Sequence, residues 1–304
     1  MAAPTFMIMT FLLFLFLFCR SEVNASPDQL LEERYPGLAA GVLKTAALAD
    51  LPPGVLLKTD RTEILEKELP SLLEKFAVKI RAQLQKDLFF LLEQEAVKRM
   101  LLAEAEAAGL TREGLKEEQA LNLFLNQIAD KAVVSDKDIR EFYEANKNAA
   151  GGATLDEVKE GIREILLQQK KQAVVESYIS NLGQSRNIKV SREWSEKQYA
   201  LAMDNPVHKA RKSGIPALVE FGASGCVPCD MMQPILKKLR EKYGPRLNVL
   251  FVHVREEQVM GARYGIRIIP VQVFYDAQGR EIFRHEGFFP EDQIIPVLKK
   301  MGIE

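Results

Sequence analysis

Two cysteines, Cys226 and Cys229, stand two residues apart just after the apolar run Ile215-Pro216-Ala217-Leu218-Val219-Glu220-Phe221, and this placement constrains the fold most tightly. The run reads as a buried strand, and the residues beyond Cys226 read as a helix reaching about Lys242. Cys226 then sits at the positive end of a helix dipole among free backbone N–H groups. That setting favours a thiolate, the species that attacks disulfides. Pro228 suits a first helical turn, and Cys229, one turn in, can reach back to release a mixed disulfide. Zinc ribbons use the same spacing, but they need a second pair or two histidines. The chain has three histidines, His208, His253 and His285, none spaced as a metal ligand, so neither a metal nor another cofactor is expected.

Elements alternate around the pair. A helix over roughly Glu196 to Lys212 precedes it, and the strand Asn248 to Val254 and a helix near Glu256 to Tyr264 follow. Strands Val271–Tyr275 and Glu281–Arg284 flank the turn Asp276-Ala277-Gln278-Gly279, and a last helix covers about Pro290 to Met301. The pattern predicts an α/β domain over residues 193–304 with a central mixed sheet flanked by helices.

From about Lys209 to Glu304 the sequence resembles the thioredoxin superfamily. The segment Val219-Glu220-Phe221-Gly222-Ala223-Ser224-Gly225-Cys226-Val227-Pro228-Cys229 is similar to that family's strand, loop and active site. Tyr264-Gly265-Ile266-Arg267-Ile268-Ile269-Pro270 is similar to the segment carrying its cis-proline. The resemblance implies that Cys226 attacks, that Cys229 resolves, and that the Ile269–Pro270 bond is cis. It also implies that the backbone at Ile269 pairs with the substrate strand and that Gly287 lets substrate approach the cleft. Glu220 stands where the family has a buried acid beneath the second cysteine, able to carry its proton; the alternative is an acid at a strand end facing water. Three positions depart from the pattern: Gly225 and Gly222 replace aromatic residues, and Phe251 stands where a lysine often accompanies the acid. The Val-Pro dipeptide lacks the histidine of strong oxidants, which favours a reductase or isomerase over an oxidase.

The first half reads as helices. Apolar residues recur at helical steps from Ser71 to Ala108, which predicts one long amphipathic helix. Further helices are expected from about Lys116 to Ala132, from Ser135 to near Asn146, and from the capping box Thr154-Leu155-Asp156-Glu157 to Leu182, with Gly183 as terminator. Val55 to Lys58 and Asn187 to Val190 are candidate short extended pieces. Residues 55–190 resemble the N-terminal domain of exported SurA-like chaperones and parvulin-type prolyl isomerases, through the long helix, the segment Val134 to Lys147, and the helix after Thr154. In those isomerases a catalytic domain lies between the last two helices. Here Asn148 to Ala153 fills that gap, against the ~50 residues a domain requires, so prolyl isomerase activity is not expected. The expected architecture is a helical SurA-N-like domain over 26–192, all-α in class, followed by the α/β thioredoxin fold. Phe89, Phe90, Met100 and Phe124 read either as a client-binding face or as plain core, and Trp194 as packing at the junction.

Thr5 to Cys19 is almost wholly apolar, about fifteen residues against the ~20 that span a bilayer. It reads as a signal peptide over residues 1–25 cleaved after Ala25, with an uncleaved anchor as the rival because no Lys or Arg precedes the block. Cleavage leaves two cysteines in an exported chain, a working redox pair rather than a structural bridge framework. A formal net charge of −1 gives no basic field for nucleic acid. The expected protein is a periplasmic or otherwise extracytoplasmic thiol–disulfide oxidoreductase whose helical arm recruits unfolded or misoxidised exported proteins, with a thiol protein as electron donor or acceptor. A holdase with a regulatory cysteine pair, and a disulfide-forming oxidase, are the alternatives.

Overall fold

The computed structural model describes residues 29–147 and 151–304; the expected leader with Cys19 and Ala25 lies outside them. The first half contains α1 (Leu31–Arg34), β1 (Ala47–Ala49), β2 (Val55–Lys58), β3 (Glu63–Leu65), α2 (Leu69–Glu74), α3 (Val78–Leu84), α4 (Leu88–Ala107), α5 (Glu117–Ala129), α6 (Asp136–Ala145), α7 (Leu155–Ser185), β4 (Lys189–Ser191) and α8 (Arg192–Ala202). It is helical but not all-α. A small sheet in the order β1-β4-β2-β3 joins its two ends, with β4 parallel to β1 and antiparallel to β2. Its strands are three or four residues long, too short for alternation to show in the sequence.

The single helix expected from Ser71 to Ala108 is three helices. Ala77 is extended, with ψ 150, and Asp87 leaves the helical region to cap α4, its Oδ1 accepting from Phe90 N at 3.2 Å. The apolar period runs through both breaks because Leu72, Leu84 and Leu92 all enter one core cluster. A short polar side chain that competes for backbone N–H groups decides the break, and periodicity does not register it. Gly183 does not end α7 either. It lies inside the helix, where a Cβ would come within 2.8 Å of Val42 O, so close approach to the segment after Gly41 requires it. That segment is held by Glu93, a buried carboxylate accepting from Ala40 N, Gly41 N and Leu43 N at 2.7–2.9 Å. The capping boxes at Ser135 and Thr154 form as read.

The helix expected from Glu196 to Lys212 is also divided. Asn205 caps a new helix, α9 (Pro206–Lys212), by accepting from His208 N at 2.8 Å, and Pro206 occupies its first turn. Trp194 of α8 stacks on Phe89 of α4 at 5.8 Å, and with Ala202 and Met203 it belongs to the N-terminal core. Phe89, Phe90, Met100 and Phe124 are buried in that same core, so they pack rather than present a face to clients.

The second half continues with β5 (Ala217–Gly222), α10 (Val227–Tyr243), β6 (Asn248–His253), α11 (Gln258–Arg263), β7 (Val271–Tyr275), β8 (Glu281–Glu286) and α12 (Glu291–Lys300). Its mixed sheet has the order β6-β5-β7-β8, with β5 parallel to β6 and antiparallel to β7. Both faces are covered. Leu218 and Phe274 meet α10 and α12 on one side, while Val219, Phe221 and Val273 meet α9 and α11 on the other. Two-sided burial is why β5 and β7 read as continuous apolar runs.

The halves meet along α11. Val259 joins the N-terminal core and donates from its backbone N to Gln83 Oε1 at 3.0 Å. Arg263, almost wholly buried, pairs with Asp87 at 2.5 Å and donates to the carbonyls of Gly37 and Leu38. A cavity of about 690 Å3 lies at this junction; neither cysteine lines it.

Candidate functional site

Cys226 is the N-cap of α10, and Val227 and Pro228 begin the helix, so the backbone N–H groups of its first turn open toward the sulfur. Cys226 and Cys229 form a disulfide with their Cα atoms 5.2 Å apart. The first is half-buried and the second is covered, so Cys226 carries the more accessible sulfur. Cys226 Sγ lies 3.9 Å from Ile269 O, and the Ile269–Pro270 bond is cis. Gly287, with φ +98, donates its N–H to Pro270 O at 2.8 Å, so the end of β8 fastens the proline loop beside the sulfurs. Four residues named from the sequence, Cys226, Cys229, Ile269 and Pro270, thus converge, and Gly287 adjoins them through Pro270.

Glu220 is buried, not facing water. Alternation along β5 puts Leu218, Glu220 and Gly222 on the face covered by α10. A Cβ at Gly222 would stand 3.4 Å from Cys229 Cβ and 2.9 Å from the Phe251 ring, so the strand passes directly under the second cysteine. Glu220 lies one pleat further along. Gln272, its cross-strand partner, donates from Nε2 to Glu220 Oε2 at 3.0 Å. Glu220 Oε1 has no partner among the described residues. Burial pushes the carboxyl up to about 7, against the smaller opposing effect of the Gln272 hydrogen bond. Gln272 was not identified from the sequence. Its signal was a lone amide inside the apolar run Val271 to Tyr275.

The raised pKa of Glu220 makes stability depend on pH. From the unperturbed 4.5 to about 7, the folded chain holds a proton that the unfolded chain has lost, so stability falls as pH rises through this window. Above it the ionised Glu220 costs roughly 3 kcal/mol, at about 1.4 kcal/mol for each pH unit. Glu220→Gln is therefore expected to stabilise the oxidised protein by about 2–3 kcal/mol at pH 8 and by much less at pH 5. Its disulfide turnover is expected to fall. Urea unfolding at the two pH values measures the difference, and a variant less stable than the parent at pH 8 would contradict a buried, proton-holding Glu220.

Among the described residues no three His, Cys, Asp or Glu side chains gather as metal ligands. His208 is buried on α9, where burial lowers it to about 4, and it packs edge-on against Tyr199 at 6.2 Å.

A family model described as a thioredoxin-like domain matches residues 203–302. Thioredoxin Y of the chloroplast of Oryza sativa subsp. japonica is 32% identical over 115 residues, covering 38% of this chain and 66% of that protein. Thioredoxin 1 of Synechococcus elongatus is 37% identical over 90 residues, covering 29% of this chain and 82% of that protein. A solved mutant thioredoxin from Halobacterium salinarum is 26% identical, with a TM-score of 0.29, covering 31% of this chain and 80% of that one. Through its C-terminal domain the chain belongs to the thioredoxin family, and its Cys226–Cys229 pair is that of a thiol–disulfide oxidoreductase.

Proposed function

We propose that the protein works outside the cytoplasm on disulfides of other exported polypeptides, in the reducing or isomerising direction, with its helical half bringing those polypeptides to Cys226. The observation that carries the redox part is the half-buried Cys226 at the start of α10, backed by Cys229 and facing the Ile269 carbonyl. The rim is apolar and open: Val227 is 71% and Ile268 53% exposed, which suits an unfolded chain better than a small thiol. The helical half reaches the same rim, because Glu176 of α7 pairs with Arg267, three residues before the cis-proline. Leu123, Val133 and Ile165 are exposed on or beside α5 and α7 and offer apolar contacts. Holding a client there raises its concentration at the sulfur. The apolar leader supports export.

In this reading Cys226 attacks a client disulfide and forms a mixed disulfide, and the client's other sulfur leaves as a thiol. Cys229 then displaces the client, and Glu220 receives its proton. Cys229→Ser removes only the second step, so covalent adducts with exported proteins are expected to accumulate in an envelope extract. They should be absent when Cys226 is also replaced by Ser. Recovery of no adducts, or of adducts that persist without Cys226, would overturn the assignment.

A further inference from the structure

The loop joining β5 to the nucleophile carries almost no side chain. Gly222 and Gly225 flank Ala223 and Ser224, and Gly225, directly before Cys226, has φ +73. Glycine flanks leave the backbone its widest freedom. Ser224 is nevertheless fixed through three of its atoms. Its N–H donates to His253 Nε2 at 3.1 Å, its Oγ lies 3.1 Å from the same nitrogen, and its carbonyl accepts from Arg255 Nη1 at 3.0 Å. His253 ends β6 and Arg255 lies two residues beyond it in the turn that follows. The parallel register sets Gly222 beside His253, and Val254 N donates to Gly222 O at 2.9 Å.

A backbone N–H can only donate, so the His253 ring accepts at Nε2 and carries its proton on Nδ1. That Nδ1 is buried without a hydrogen-bond partner among the described residues. The ring thus leaves one polar atom unsatisfied, a cost that a merely space-filling side chain would not incur. Phe251 meets the ring edge-on at 6.2 Å and holds its plane.

We infer that His253, assisted by Arg255, is a positioning residue for the redox reaction: it anchors Ser224 and so holds the backbone that presents Cys226. In the oxidised protein the bond to Cys229 adds a side-chain link between Cys226 and α10. After reduction the Cys226 backbone is held from two sides, by α10, where Asp230 N donates to Cys226 O at 2.9 Å, and by the two-residue link from Ser224. His253 touches no reacting atom and acts through Ser224. The inference rests on the family's thiol chemistry and is independent of the helical half.

The test uses the full chain with Cys19→Ser and Cys229→Ser, so that Cys226 is the only thiol, and follows its alkylation by iodoacetamide from pH 5 to 9. His253→Leu is expected to slow alkylation at pH 7 by about tenfold and to displace the pH profile. His253→Gln, whose amide oxygen can accept from Ser224, should stay within about threefold of the parent. A structural role alone would lower unfolding stability and leave the profile in place. Alkylation of H253L at the parent rate throughout, or of H253Q as slowly as H253L, would overturn the inference. If H253L does not fold, Arg255→Gln is read instead: a severalfold slowing supports the anchor, and an unchanged rate refutes it.

Discussion

Cys226→Ser is expected to lower the turnover of insulin disulfides by about a thousandfold or more, with the reduced parent and the variant unfolding alike. A serine hydroxyl is not ionised near neutral pH and does not displace sulfur, so the attacking step has no substitute within the chain. The fold should tolerate the change. Cys226 is an N-cap whose side chain makes no capping hydrogen bond, and serine is a favoured residue at that position. Cys229 cannot take over, because it is covered and sits a turn inside α10. Comparing wild type and variant in a glutathione-coupled assay settles the matter. Equal turnover would remove the pair from the chemistry and leave a polypeptide-binding protein with an incidental disulfide.

The second large effect concerns the joint between the halves. Arg263 and Asp87 are 6% and 10% exposed, so neither charge has water to fall back on. Burial pushes the Asp87 carboxyl up and the Arg263 guanidinium opposes that rise. Removing one partner of a buried pair costs about 3–5 kcal/mol, because the other charge is left uncompensated. Arg263→Ala and Asp87→Ala are each expected to lower unfolding stability by that order. Asp87→Asn separates the contributions: the amide still caps α4, worth about 0.5–2 kcal/mol, but carries no charge. It should therefore retain the cap and lose most of the remainder. Chemical unfolding of the oxidised proteins measures all three. If Arg263→Ala and Asp87→Asn both stay within about 1 kcal/mol of the parent, the joint is not held by this pair.

Near this joint a second pair, Arg267 with Glu176, sets α7 beside the cis-proline loop. Arg263, Tyr264 and Arg267 follow one another along α11 and the turn after it. The first is buried against Asp87 and the last pairs with Glu176 at the surface. Basic residues here were visible in the sequence, but nothing in their spacing pointed to partners in the other half.

Where structure depends on neighbours in the chain, the sequence could be read closely. β5 and β7 appeared as unbroken apolar runs because both faces of the sheet are covered. The Ser135 and Thr154 caps were recognisable because each bonds within three residues. The setting of the cysteine pair was identifiable for the same reason, since a strand, a tight turn and a helix start lie within one short stretch. The reading failed where an unbroken apolar period masked a local cap, as at Asp87, and where a distant residue decided, as at Gly183, which serves a contact with Val42 rather than a helix end. The strands of the first half are too short to carry a period, so that half was expected to be all-α.

Taken alone, the amino-acid order determined the thioredoxin-type core, the place of the Cys226–Cys229 pair at a helix start, and the proline loop that faces it, because these follow from local backbone preferences. Only the tertiary structure decided that Glu220 holds its proton near neutrality, that Gln272 steadies it from 52 residues away, and that Arg263 reaches 176 residues back to Asp87. The physical reason is that desolvation and ion pairing depend on what surrounds a group in space, and in a folded chain those surroundings are supplied by segments far apart in sequence.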